Sequence, residues 1–199
     1  FYKNYYKEIG LSTTTVENFP SVGKISSKKS FRDNLVIIYH GQLSKDRGII
    51  ILIKAFIQLK NHMPSAVLKL LGTPRTKEFR LEMVNLINSS IYKKDIRLLD
   101  EVPHSDVWGL LDESHIGIIP SLRTPRVIID TPTKLFEYMA SGCAVVATDT
   151  PPVRYFAEDC SILVNPGDVT SLVDGILEVG TDKNKFLSYV KEGQKKIKI

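Results

Sequence analysis

The stretch TPTKLFEYMASGCAVVATD, Thr131 to Asp149, reads as a short helix that runs directly into a strand. Thr131 offers the hydroxyl of an N-cap, and Pro132 suits the first helical position, where proline's missing N–H is no loss. Gly142 suits the residue just past a helix end. Between them, Leu135, Phe136 and Met139 make an apolar face, while Lys134 and Glu137 lie three apart and share another. The following CAVVAT, Cys143 to Thr148, is apolar on both faces, as a strand covered by helices on each side is. A helix feeding a buried strand is half of a β-α-β unit, so the fold depends on whether the rest of the chain repeats it.

It does. Strands are expected at Leu35 to Gly41, Ala66 to Gly72, Asp95 to Leu99, Ile116 to Pro120, Cys143 to Thr148 and Ser161 to Val164. Helices are expected at 46–62, 75–92, 104–113, 132–141, 151–158 and 168–180. Strand and helix alternating at this spacing make an α/β fold with a doubly wound parallel sheet, Rossmann-like in architecture. Right-handed crossovers place the loop after every strand along one edge, where open sheets of this kind bind ligands.

The loops on that edge are GQLSKDRG (Gly41 to Gly48), GTPRT (Gly72 to Thr76), DEVPHSD (Asp100 to Asp106) and PSLRTPRVIIDTPTK (Pro120 to Lys134). They supply small residues, hydroxyls and bases, a set that suits a phosphate-bearing ligand at helix N-termini. The helix after Thr131 starts at this edge, so its first-turn N–H groups, with Lys134 adding charge, can hold a diphosphate. One turn further, the two oxygens of Glu137 can accept from a sugar's vicinal hydroxyls. A surface ion pair between Lys134 and Glu137 is the plainer reading.

At 199 residues and 43% hydrophobic, the chain supports one sizeable core. It begins at Phe1 with no leader pattern, which leads us to expect a piece of a longer protein. Its parts read as a lead-in of residues 1–34, containing a helix and strand, a ligand-binding domain of residues 35–181, and a C-terminal helix of residues 182–199. No apolar run reaches the roughly 18 residues of a membrane span. Cys143 and Cys160 lie in apolar segments without ligand spacing, which suits small core residues in a reducing, cytoplasmic compartment. The net charge of +5 divides into +3 on residues 1–34, +4 on residues 182–199 and −2 on the rest. The excess belongs to the ends, and Lys191, Lys195, Lys196 and Lys198 have no interleaved aromatics, so nucleic acid is not expected as a partner. A solvated helix face, or a peripheral attraction to an anionic inner membrane face, accounts for them.

The segment PSLRTPRVIIDTPTKLFEYMASGCAVVATD resembles the donor-site segment of retaining GT-B glycosyltransferases of glycosyltransferase family 4, the group 1 transferases. YHGQLSKDRG is similar to that family's first-strand loop, and LDEVPHSDVWGLLDESHIGIIPS to its turn, helix and strand leading to Pro-Ser, so the likeness covers roughly residues 37–178. It implies the C-terminal, nucleotide-sugar-binding half of a two-domain enzyme. The implied partners are a nucleotide sugar, an absent N-terminal domain and a saccharide or lipid-linked acceptor; no cofactor or metal is implied. Glu137 then matches the second acid of the E-x7-E motif, which holds the ribose. Arg47 matches the base that neutralises the donor diphosphate. Lys134 joins these two as a catalytic candidate. The remaining donor contacts are Gly41, Gln42 and Lys45 in the first loop, Gly72 in the second, Val102 and Pro103 in the third, and Ser121, Thr131 and Thr133 in the fourth. Two positions depart from the pattern. Ile129 stands where the first acid belongs, with Asp130 beside it, and Gln42 replaces an arginine common in the first loop.

A nucleotide-sugar epimerase of the same fold and a non-catalytic nucleotide-binding domain are the alternatives. His40, ending a strand beside Gly41, suits either a ligand contact or a packed strand terminus; His104 reads as part of a helix start explained by capping, and His62 and His115 as without function. Arg123 and Arg126, in the long fourth loop, suit either a phosphate or solvent.

Overall fold

The computed structural model describes residue 12 and residues 29–31, 34–125 and 127–197. Along the chain run β1 Val36–His40, α1 Ile49–Leu59, β2 Val67–Leu71, α2 Lys77–Asn88, β3 Ile96–Leu99, α3 His104–Asp112, β4 Ile116–Ile119, α4 Thr133–Ala140, β5 Ala144–Thr148, α5 Pro151–Ala157, β6 Ser161–Val164, α6 Val169–Gly180 and α7 Lys183–Ile197. Every strand expected from the sequence is present, in the order β3-β2-β1-β4-β5-β6, and every pair is parallel. The helix and strand expected in the lead-in fall on residues outside those described.

Strand side chains alternate between the two faces, and each face has its own core. Leu35, Ile37 and Tyr39 point into a layer shared with α1, α2 and α6, where Phe56, Met83 and Ile176 are buried. Ile38, Leu71 and Val145 point the other way, against α3, α4 and α5. Helix α7 joins the two. Its Phe186 and Val190 lie in the first layer, Ile197 packs on the second, and a Cβ at Gly193 would stand 3.2 Å from Met139 of α4.

The basic end is partly neutralised where it lies. Lys196 pairs with Asp159 at 2.5 Å, Lys185 with Glu178 at 3.1 Å and Lys195 with Glu192 at 3.4 Å. Both cysteines are buried and in no disulfide. Lys29 reaches Cys143 Sγ at 3.1 Å while donating to the carbonyls of Leu111, at 2.5 Å, and Ser114. Burial pushes the Cys160 thiol up to about 12. Among the described residues no helix is long and apolar enough to cross a membrane.

The strand order reverses between β1 and β4, which places the crevice of a doubly wound sheet at the C-terminal end of β1. There the loops after β1 and β2 run side by side through Leu43 N–H to Thr73 C=O (3.1 Å) and Arg75 N–H to Leu43 C=O (2.9 Å). Gly72, at φ 140°, permits this approach, since a Cβ there would lie 2.0 Å from the Gly41 carbonyl oxygen.

Candidate functional site

Helix α4 begins one residue later than expected. Pro132, not Thr131, is its N-cap, Thr133 is its first residue, and no side chain caps it. Pro132 has extended backbone and lends its carbonyl to Leu135 N–H at 2.9 Å, which fills the capping position that Thr131 would have taken. The other end is as expected. Gly142, at φ 68°, turns the chain, with Gly142 N–H on Met139 C=O (3.1 Å) and Cys143 N–H on Tyr138 C=O (2.9 Å).

Between these ends Glu137 is only 4% exposed. It does not pair with Lys134. Its Oε1 takes a hydrogen bond from His104 Nε2 at 2.8 Å, and its Oε2 lies 3.1 Å from His40 Nε2, off the line of a directed bond. Burial works to raise the Glu137 carboxyl, but the contacts with His40 and His104 outweigh it and hold the group below its ordinary value. His40 is itself held down, first by burial, against the pull of Glu137.

Lys134 points elsewhere. Its ammonium donates to the His40 carbonyl at 2.6 Å and sits 3.9 Å over the ring of Tyr39. Burial, with Arg47 adding like charge, lowers its pKa to about 7, although Glu137 opposes the shift. Beneath both lies Tyr138, fully buried, whose hydroxyl accepts from His40 N–H at 3.2 Å. A chain of contacts therefore runs from Lys134 through His40 and Glu137 to His104.

This chain borders a cavity of about 480 Å3 whose walls include His40, Gly41, Gln42, Gly72, Thr73, Arg75, Val102 and His104. Four residues expected from the sequence, Gly41, Gln42, Gly72 and Val102, thus meet in one place, with Pro103 beside them as the N-cap of α3. Arg47 and Ser121 line a separate small cavity of about 10 Å3, room for one water at most, together with Asp130, Thr148 and Thr150. Thr131 and Thr133 stand half-buried at the start of α4. Lys45 faces a different, shallow depression of about 720 Å3 with Arg75, Glu78 and Leu122.

His104 is the residue that sequence reasoning passed over, and His40 the one it leaves between a ligand contact and a packed strand terminus. Capping does not explain His104, because Pro103 is the N-cap of α3 and the imidazole turns to Glu137. One signal pointed to them: His40 closes β1 and His104 opens α3, both on the same edge as Glu137. His115 is structural, its Nδ1 accepting from Val36 N–H at 3.1 Å, and His62 is exposed. Arg123 is exposed, and Arg126 lies outside the described residues. Among the described residues no cluster of His, Cys, Asp and Glu is arranged to hold a metal ion.

The family described as glycosyl transferases group 1 matches residues 23–196. The chain belongs to that family. No curated protein matches it by sequence. Among solved structures it is similar to S. aureus TarM, in complex with fondaparinux, alpha-GlcNAc-glycerol and UDP, at 14% identity and a TM-score of 0.80, covering 98% of this chain and 38% of that one. The C-terminal domain of the group 1 family protein LpcC from Francisella tularensis matches at 17% identity and a TM-score of 0.74, covering 87% of this chain and 93% of that one. Anabaena HepE in complex with UDP and glucose matches at 22% identity and a TM-score of 0.70, over 82% and 43% of the two chains. At these identities the likeness establishes the fold, that of GT-B glycosyltransferases. The group 1 chain spans less than half the length of TarM and HepE.

Proposed function

We propose that this group 1 domain is the donor-binding half of a retaining glycosyltransferase. It holds a nucleotide sugar for transfer to a saccharide or lipid-linked acceptor that a second, N-terminal domain positions. One observation carries the reading: a buried carboxylate, Glu137, lies directly behind His40 and His104, which line a 480 Å3 cavity at the strand-order reversal, with Lys134 and Arg47 nearby. In this arrangement the Val102–Pro103 turn meets the base, Glu137 takes the ribose hydroxyls, and Arg47, Lys134 and the uncapped N–H groups of α4 face the diphosphate. Asp130, sharing the small cavity with Arg47, is the acid nearest the place left by Ile129 and the natural contact for the donor sugar. Two bases supply the charge that stabilises a departing diphosphate, so transfer needs neither a metal nor a protein nucleophile. Such an enzyme works in the cytoplasm, and α7, with several lysines already paired, gives it at most a weak hold on a membrane face.

UDP, present in the TarM and HepE structures, is the first nucleotide to try. Titration calorimetry is expected to show UDP binding that weakens by about 1–3 kcal/mol on Glu137→Gln, the loss of hydrogen bonds to a charged group. Arg47→Ala is expected to weaken it as well. Unchanged affinity in both variants would overturn the assignment. The same chain is expected to transfer no sugar, because an acceptor must be held within bonding distance by the opposite wall of the cleft. Transfer by this chain alone would show that the acceptor site lies here.

A further inference from the structure

Glu137 can serve a ribose only if its oxygens can be reached, and an imidazole stands at each. Oε2 faces His40 Nε2 at 3.1 Å and Oε1 accepts from His104 Nε2 at 2.8 Å, while the Glu137 side chain is only 5% exposed. The two imidazoles are not equally free to leave. His40 is fixed: its side chain is 10% exposed, its ring stands edge-on to Tyr138 at 5.1 Å, its N–H bonds the Tyr138 hydroxyl, and its carbonyl accepts from Lys134. The side chain of His104 is 64% exposed. Its only ring neighbour among the described residues is Trp108, edge-on at 6.3 Å. Because Pro103 is the N-cap, the start of α3 does not depend on where the His104 ring points.

We propose that His104 is a displaceable latch on Glu137, which the ribose hydroxyls of an incoming nucleotide must evict from Oε1. The proposal rests on reading Glu137 as the ribose ligand. A deeply buried carboxylate oxygen without a partner carries a desolvation penalty, and His104 removes it until a hydroxyl takes over the bond. Exchange rather than addition is the consequence: the nucleotide gains a hydrogen bond only by breaking one. His104 also follows directly on Val102–Pro103, so a base seated against that turn touches the segment that carries the latch. The other charged and titratable groups about Glu137 are His40 from β1, Lys134 and Tyr138 from α4, and Arg47 behind Lys134. None of them occupies Oε1.

The test is titration of UDP into the natural chain, His104→Ala and Glu137→Gln, with NMR of the His104 ring. Removing an exposed hydrogen bond that competes with the ligand should tighten UDP binding about three- to tenfold in His104→Ala. The His104 ring signals should move on adding UDP to the natural chain, and in Glu137→Gln should differ from the natural chain without any ligand. Equal or weaker UDP binding by His104→Ala, in a variant whose melting is unchanged, would overturn the latch, since His104 would then be neutral or helping. Unchanged binding by Glu137→Gln would instead overturn the ribose reading, and the latch with it. So would absence of UDP binding by both the natural chain and His104→Ala.

Discussion

The two faces of the sheet are built differently. The face toward α1, α2 and α6 buries a continuous set of aliphatic and aromatic side chains from β1 through β6. The face toward α3, α4 and α5 has a smaller apolar set, and at its ligand end it buries His40 and Glu137 among those side chains. The first face does what a core does, removing apolar area from water. The second gives up part of that area to hold polar groups in fixed places, and its helix α4 has a start without a side-chain cap and a closed Schellman end. Stability and chemistry are thus divided between opposite sides of one sheet.

Truncating the first face should have the largest effect on folding and the least on the site. Phe56 is fully buried there, and Phe56→Ala is expected to cost about 3–5 kcal/mol of stability by urea melts. UDP affinity of the folded protein should be unchanged. A loss of affinity would show that the two faces are coupled through the sheet.

Gly117 tests the reverse. It lies on β4 against the second face, where a Cβ would come within 2.3 Å of the Tyr138 ring. Gly117→Ala forces that ring to move and should cost about 1–3 kcal/mol of stability. Because the Tyr138 hydroxyl holds His40 N–H, UDP binding should fall along with stability. A destabilised variant with full UDP affinity would separate the packing of this face from its site.

The smallest effect should come from the charge itself, through pH. With its pKa lowered to about 7 from 10.5, Lys134 is less protonated in the folded chain than in the unfolded one between those values. Folding therefore gains stability as pH rises through that window, and the burial penalty is present in full below it. Lys134→Met, which carries no such charge, should have its greatest advantage at pH 6 and lose it progressively toward pH 10 in chemical melts. A pH-independent difference would show that the ammonium is not desolvated in solution.

Much of this was legible in the chain. The runs at Leu35, Ile116 and Cys143 are apolar on both faces, as a strand covered twice must be, and with the helices spaced between them the parallel sheet and its ligand edge follow. Gly142 declared the end of α4 because a left-handed turn there leaves few other choices. The start of that helix was misplaced by one residue, since Thr131 and Pro132 can each occupy the capping position and local preference does not choose between them. The pairing of Glu137 with His40 and His104 was not legible. Glu137 follows β4, His40 ends β1 and His104 follows β3, and which side chains meet across strands depends on lateral order, which periodicity along the chain does not report. Lys134 was placed near the phosphates by the sequence. That its ammonium is tied to a strand carbonyl is a fact of tertiary packing alone.

Gly117 and Tyr138 also have a consequence for descent. Neither is exchanged alone without loss: a side chain on β4 must push the ring aside, and losing the ring leaves a hollow and strips His40 of its support. The two positions are in effect inherited as one character. A relative with a larger residue at the place of Gly117 should have given up the tyrosine as well, and should hold the strand end that carries His40 by other means.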